Sequence, residues 1–204
     1  PEEVARDEAR RCVQCSQFCD KCVEVCPNRA NYTVTVTPRS VAVPRLSYED
    51  GQLMARGSEL LQVTQSRQII HVEDFCNDCG NCATFCVHEG KPYEDKPRLF
   101  LNVTDFERAE DNAFHCEQAD GGWRIRRREG GAESQLWVGE GELLYEDEDV
   151  RVRTTLDFEL TSAEAKNGSG HTPSLIPMAE MVIILEGVLS SAAFLLPSAN
   201  EANE

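Results

Sequence analysis

Apolar positions recur along this chain at two periods. Tyr32, Val34 and Val36 alternate with Thr33, Thr35 and Thr37, which predicts a strand over 32–37. Gln68-Ile69-Ile70-His71-Val72 and the stretch 98–104 read as further strands, and Trp123 to Ile125 and Leu136 to Val138 continue the pattern. The longest alternation runs from 150 to 160. Val150, Val152, Thr154, Leu156, Phe158 and Leu160 share one face, and Arg151, Arg153, Thr155, Asp157 and Glu159 the other. It predicts one eleven-residue strand. With turn signals at Asp120-Gly121-Gly122 and Glu129-Gly130-Gly131, the region 98–160 predicts a small antiparallel sheet, one face apolar and one wet.

A helical period appears at the far end. Met178, Met181, Val182, Leu185, Val188, Leu189, Ala192, Leu195 and Leu196 fall on one face, predicting an amphipathic helix over 178–197 that packs on the sheet. Glu180, Glu186, Gly187, Ser190 and Ser191 interrupt it, and no basic flank is present, so membrane anchoring is the lesser reading. Residues 1–11 also read as a helix, with Glu2 and Glu3 at its start and Arg10 and Arg11 at its end. Pro38, Pro44 and Asp50-Gly51 punctuate 38–67, which fits a hairpin or a loop inserted between two halves. The stretch 161–177 has no periodicity and reads as a linker.

Charge narrows the partners. The 204 residues carry 36 acidic and 20 basic side chains, a formal charge of −16. Nucleic acid and anionic membranes need a basic field and are disfavoured. The arginines at 124, 126, 127 and 128 form a short run that reads better as cross-strand charge pairing than as a phosphate-binding patch. The first residues, Pro1-Glu2-Glu3, lack the features of a signal peptide. The chain begins without Met and reads as a processed product or a piece of a longer polypeptide. Ten cysteines, most of them in dense runs, point to a reducing, cytoplasmic setting.

The cysteines carry the chemistry. Cys76-Asn77-Asp78-Cys79-Gly80-Asn81-Cys82-Ala83-Thr84-Phe85-Cys86 has gaps of two, two and three, the ligand run of a bacterial-type [4Fe–4S] site. Another run, earlier in the chain and so the first of the two, ends Cys19, Cys22, Cys26, Pro27. It begins irregularly: the simplest spacing wants a cysteine at Ser16, and Cys15 or Cys12 stands in. In two-cluster proteins the fourth cysteine of each run ligates the other cluster. That rule predicts two [4Fe–4S] clusters, one on Cys15, Cys19, Cys22 and Cys86, the other on Cys26, Cys76, Cys79 and Cys82. Cys12 is the spare, and Cys12 as a true partner of Cys15 is the rival assignment. Each fourth cysteine is expected to open a helix. A zinc-stabilised interaction module is the competing reading, because Cys-x-x-Cys pairs also build zinc sites. Cys116 stands alone and reads as a small hydrophobe, and His71 and His88 as solvated polar positions.

Two stretches carry a family resemblance. Residues 8–15, Glu8-Ala9-Arg10-Arg11-Cys12-Val13-Gln14-Cys15, are similar to the cysteine-rich start of iron–sulfur flavoproteins related to the glutamate synthase small subunit. Residues 22–31, the run 76–86 and Lys91-Pro92-Tyr93-Glu94-Asp95-Lys96 resemble the C-terminal two-[4Fe–4S] ferredoxin-like region of the selenate reductase subunit family. The resemblance covers 8–36 and 68–104; the insertion at 38–67 departs from it. It implies a two-[4Fe–4S] ferredoxin-like domain over 1–97, with the insertion at 38–67; joined to the periodicities read above, the expected fold is α+β, that domain followed by a small antiparallel β region over 98–160, the linker 161–177 and the helix 178–197. The resemblance also implies a flavin-containing NAD(P)H oxidoreductase module as one partner. The chain itself has no Gly-x-Gly-x-x-Gly loop and no nucleophile–base pair. The resulting expectation is an electron relay between that module and a downstream redox enzyme, converting no substrate by itself.

Overall fold

The computed structural model describes residues 19–49, 52–119, 121–167 and 173–196, with Glu2 and Val4 besides. Glu2 and Val4 apart, the helix expected over 1–11 lies outside the described residues, as do Cys12 and Cys15.

The first helical turn, α1 (Lys21–Glu24), leads into β1 (Asn31–Thr35). A long hairpin follows, β2 (Arg39–Glu49) and β3 (Gln52–Val63), paired antiparallel to each other alone. The chain returns through β4 (Arg67–Val72), a 3₁₀ turn (Glu73–Phe75), and the short helices α2 (Asn81–Thr84) and α3 (Pro92–Asp95). β5 (Arg98–Leu99) and α4 (Val103–Arg108) precede six strands: β6 (Ala113–Ala119), β7 (Gly122–Glu129), β8 (Ala132–Val138), β9 (Glu142–Glu146), β10 (Val150–Thr155) and β11 (Leu160–Ala165). Helix α5 (Ile176–Ser191) and a 3₁₀ turn (Ala193–Leu195) close the described chain.

This overturns the expected α+β arrangement of a ferredoxin-like domain followed by a small separate sheet. Nine strands form one mixed sheet in the order β1-β4-β5-β6-β7-β8-β9-β10-β11. The bridge is β5, two residues long, which pairs parallel with β4 on one side and β6 on the other. Its flanking bonds extend the join: His71 N–H donates to Pro97 O at 2.9 Å and Phe100 N–H to Phe114 O at 2.8 Å. Strands on both sides of residue 97 therefore share one sheet. From β6 onward every neighbouring pair is antiparallel.

Two predicted strands break early. After Leu99 the chain leaves the sheet, because Asp74 takes the N–H groups of Leu101 and Asn102 (2.7 and 3.2 Å). Asn102 then caps α4, its Oδ1 accepting from Thr104 N–H at 2.8 Å. The stretch 150–160 is a hairpin, not one strand. Thr155 N–H donates to Glu159 O and Phe158 N–H to Thr155 O, with Phe158 buried at φ 64°. A turn made without glycine or proline leaves the apolar alternation intact across it. Likewise the supposed linker contains β11.

Helix α5 lies against the apolar face of the sheet, and the hairpin β2–β3 lies against it too. Val41, Val43 and Leu46 of β2 join the same core as Ile70, Leu99, Ile125, Leu136, Tyr145 and Val152 of the sheet and Met178, Met181, Leu185 and Val188 of the helix. A helix covered on several sides tolerates apolar residues around most of its circumference, which explains why Ile183 and Ile184 are apolar as well. β1 is an edge strand whose free backbone is met by this helix. Ser190 Oγ donates to Thr35 O at 2.6 Å, Thr35 N–H donates to Ser191 Oγ at 3.0 Å, and Thr37 N–H donates to Glu186 Oε1 at 2.8 Å. The polar interruptions of the helical pattern thus close a sheet edge. Among the described residues no helix is long and apolar enough to cross a membrane.

Candidate functional site

From the third cysteine onward the two runs fold alike. In each, the third cysteine (Cys22, Cys82) sits buried inside a four-residue helical turn, and the fourth (Cys26, Cys86) follows that turn, half-buried. The fourth cysteine does not open a helix, as the sequence led us to expect; the third occupies one. Three residues on, Arg29 and Glu89 both adopt left-handed conformations (φ 55° and 56°), their N–H groups returning to Cys26 O and Cys86 O at 3.3 and 3.2 Å. Gly80, at φ 74°, turns the second run into α2.

α1 and α2 pack together, and Cys22 and Cys82 share a small apolar cluster with Ile69. Cys19, Cys22 and Cys86 line one cavity of about 210 Å³, with Lys21, Lys96 and the exposed His88 also on its wall. A thiol from the second run thus stands beside two from the first. Gly90 forms part of the same wall; a Cβ there would meet Asp95 Oδ2 at 2.8 Å and Cys86 Sγ at 3.8 Å. Asp95 in turn accepts Lys91 N–H at 2.6 Å, so α3 holds this side of the cavity.

Cys26 and Cys76 each receive a backbone donor: Ala30 N–H to Cys26 Sγ at 3.2 Å and Asp78 N–H to Cys76 Sγ at 3.4 Å. Cys79 is exposed. Burial pushes the Cys22 thiol up despite the charge of Lys96, and burial raises that of Cys76 as well. Among the described residues no three His, Cys, Asp or Glu side chains are gathered closely enough to hold one metal ion. Cys116 lies 1% exposed in the main core, its thiol pushed up to about 12 by burial, and behaves as a small hydrophobe.

His71 is the residue the sequence misplaced. It is 1% exposed, not solvated. Asn31, its partner across β1–β4, accepts at Oδ1 from His71 Nδ1 (2.9 Å) and donates from Nδ2 to Cys22 O (3.0 Å). The amide orientation that serves Cys22 sets the imidazole tautomer: Nδ1 carries the proton. Glu73, 3.6 Å from His71 Nε2, is held by Arg98 in a two-point ion pair (2.9 and 2.8 Å). The first cysteine turn is thereby tied to the strand that delivers the second. The one hint in the sequence was position: His71 falls between Ile70 and Val72 in an otherwise apolar strand end.

The arginines of β7 divide by face. Arg124 pairs with Glu117, and Arg126 and Arg128 with Glu133, across neighbouring strands on the outer face. Arg127 shares the inner face with Ile125.

Comparison with known proteins finds one kind of relative. The chain is 38% identical over 132 residues to "Putative oxidoreductase YgfK" of Escherichia coli strain K12, and equally to the protein of that name in Escherichia coli O157:H7. The match covers 64% of this chain and 10% of the relative, so the chain spans about a tenth of that protein's length. No family model matches the chain, and no solved structure does.

Proposed function

We propose that this chain is an iron–sulfur electron-transfer module, passing electrons between a flavin-containing NAD(P)H oxidoreductase module and a partner redox enzyme. One observation carries the reading: Cys86 of the second run lines the same cavity as Cys19 and Cys22 of the first. Crossed ligation asks for that company. Cys15, Cys19, Cys22 and Cys86 would hold one [4Fe–4S] cluster, with Cys12 the alternative to Cys15. Cys26, Cys76, Cys79 and Cys82 would hold the other. The donor set fits the group, since thiolates in runs of this spacing are the usual iron–sulfur ligands. When bound, such clusters supply one-electron centres that couple to a two-electron flavin.

The chain's own residues would then act on the sulfurs. The backbone N–H groups of Ala30 and Asp78 point at the sulfurs of Cys26 and Cys76, contacts of the kind that would tune a cluster held there. Lys96 places a cation beside Cys22. The Asn31 bridge fixes the Cys22 turn from behind. Similarity to a protein named as an oxidoreductase supports the redox part of the reading.

The test is reduction of the anaerobically purified chain, followed by visible absorbance. Dithionite, or NADPH with an added flavoprotein reductase, should bleach it; NADPH alone should not. Bleaching by NADPH alone would contradict a relay without its own nicotinamide site.

A further inference from the structure

One lysine stands beside the thiols without a counter-charge. Lys96 lines the cavity of Cys19, Cys22 and Cys86 and is half-buried. Its side chain makes no ion pair among the described residues, in a chain of formal charge −16. The other charges of that cavity are engaged: Lys21 pairs with Glu24 at 2.8 Å, and Asp95 accepts Lys91 N–H at 2.6 Å. Lys96 and Asp95 also border a second cavity, of about 500 Å³, where Glu129 and Glu180 face Arg127 at 3.5 and 3.9 Å. The place of Lys96 is set by its backbone. Asn112 Nδ2 donates to Lys96 O at 2.7 Å and to Glu94 O at 2.8 Å. Lys96 N–H donates to Pro92 O at 3.2 Å, and the next carbonyl, Pro97 O, accepts His71 N–H at the β4–β5 join.

Lys96 is also the charge that acts most strongly on Cys22, drawing its thiol down against burial. We infer that Lys96 is a positioning charge that raises the reduction potential of the centre held by Cys19, Cys22 and Cys86. The inference rests on the reading of these thiols as cluster ligands. Reduction adds one electron, supplied by the flavin module or in the test by dithionite, and moves no atom, so the site becomes more negative by one charge. A fixed, unpaired cation at its wall favours that reduced state. The other run lacks such a charge. Asp78 Oδ1 lies 3.6 Å from Cys76 Sγ, and Arg98, the cation near Cys76, is taken up by Glu73. The effect therefore belongs to one cluster of the two.

Redox titration of the full chain, purified without oxygen and reduced stepwise with dithionite, measures this by electron paramagnetic resonance. Lys96→Gln should lower the reduced-to-oxidised ratio of one cluster about tenfold at a fixed potential, which for one electron is a shift of about 59 mV. The other cluster should change by less than about twofold. Lys96→Arg, which keeps the charge, should hold both potentials. Iron and sulfide are counted in every preparation. Their absence from the unaltered chain would sink the reading of the thiols and this inference with it. Full loading with a change below about twofold in Lys96→Gln, an equal shift of both clusters, or a Lys96→Arg shift as large as that of Lys96→Gln would overturn the role of Lys96 alone. Should Lys96→Gln fail to load, Lys96→Met is titrated against the same outcomes. Loss of iron from both, with Lys96→Arg loaded, would overturn the inference in favour of a role in assembly.

Discussion

Asn31 joins His71 to Cys22: its Oδ1 lies 2.9 Å from His71 Nδ1, and its Nδ2 donates to the Cys22 carbonyl at 3.0 Å. One buried amide, 2% exposed, therefore couples a cysteine turn to the neighbouring strand. Asn31→Leu keeps the approximate volume and removes both bonds. Two buried groups are left unpaired, each at about 1–3 kcal/mol. The expected loss is about 2–4 kcal/mol, read from the midpoint of urea unfolding. A loss below about 0.5 kcal/mol would mean the bridge is incidental.

The same burial makes stability depend on pH. Desolvation lowers the His71 pKa, and Glu73 only partly opposes it. The unfolded chain takes up this proton near the ordinary value of about 6.5, while the folded chain resists it. Stability should be full above about pH 6.5 and decline as pH falls toward the lower folded value. Comparison of melting curves with His71→Gln between pH 8 and pH 5 isolates the residue. The difference between the two proteins should change in the direction that favours the variant as pH falls; a constant difference would remove His71 from the account.

Gly187 sets how closely α5 approaches β1. A Cβ there would lie 2.9 Å from Val34 Cγ2 and 3.2 Å from Val36 Cγ1. Alanine gains about 1 kcal/mol of helix propensity. Overpacking against two β-branched side chains costs about 1–3 kcal/mol. The clash should win, so Gly187→Ala is expected to be less stable by about 1 kcal/mol by urea unfolding. A more stable variant would show that β1 yields without cost.

These cases show what local pattern reveals and what it hides. β1 and β4 were legible as strands, and α5 as a long apolar helical stretch, but not as the one-faced amphipathic helix expected, because apolar residues surround it. The insertion after Pro38 was legible as punctuation and proved to be a hairpin. The single sheet was not legible, because its join depends on Arg98 and Leu99, two residues whose partners lie twenty-seven and fifteen positions away. The break at Thr155–Glu159 escaped for another reason: Phe158 keeps the apolar alternation while turning the chain. At the site, cysteine spacing named the thiols described here. It could not report that His71 is buried or that Asn31 serves two masters, since both follow from the pairing of β1 with β4.

Crossed ligation separates the two runs experimentally. Cys26 belongs to the first run in sequence but is assigned to the cluster of Cys76, Cys79 and Cys82. Cys26→Ala should therefore disturb that cluster's electron paramagnetic resonance signal in the reduced protein and spare the other. Disturbance of the cluster held by Cys19 and Cys22 alone would contradict the crossing.

Iron–sulfur clusters on these thiols would show in the metal and sulfide content of the chain. The chain purified without oxygen should carry about eight iron and eight acid-labile sulfide per molecule, as two [4Fe–4S] clusters require. Stoichiometric zinc without labile sulfide would contradict the account and favour a zinc-stabilised interaction module instead.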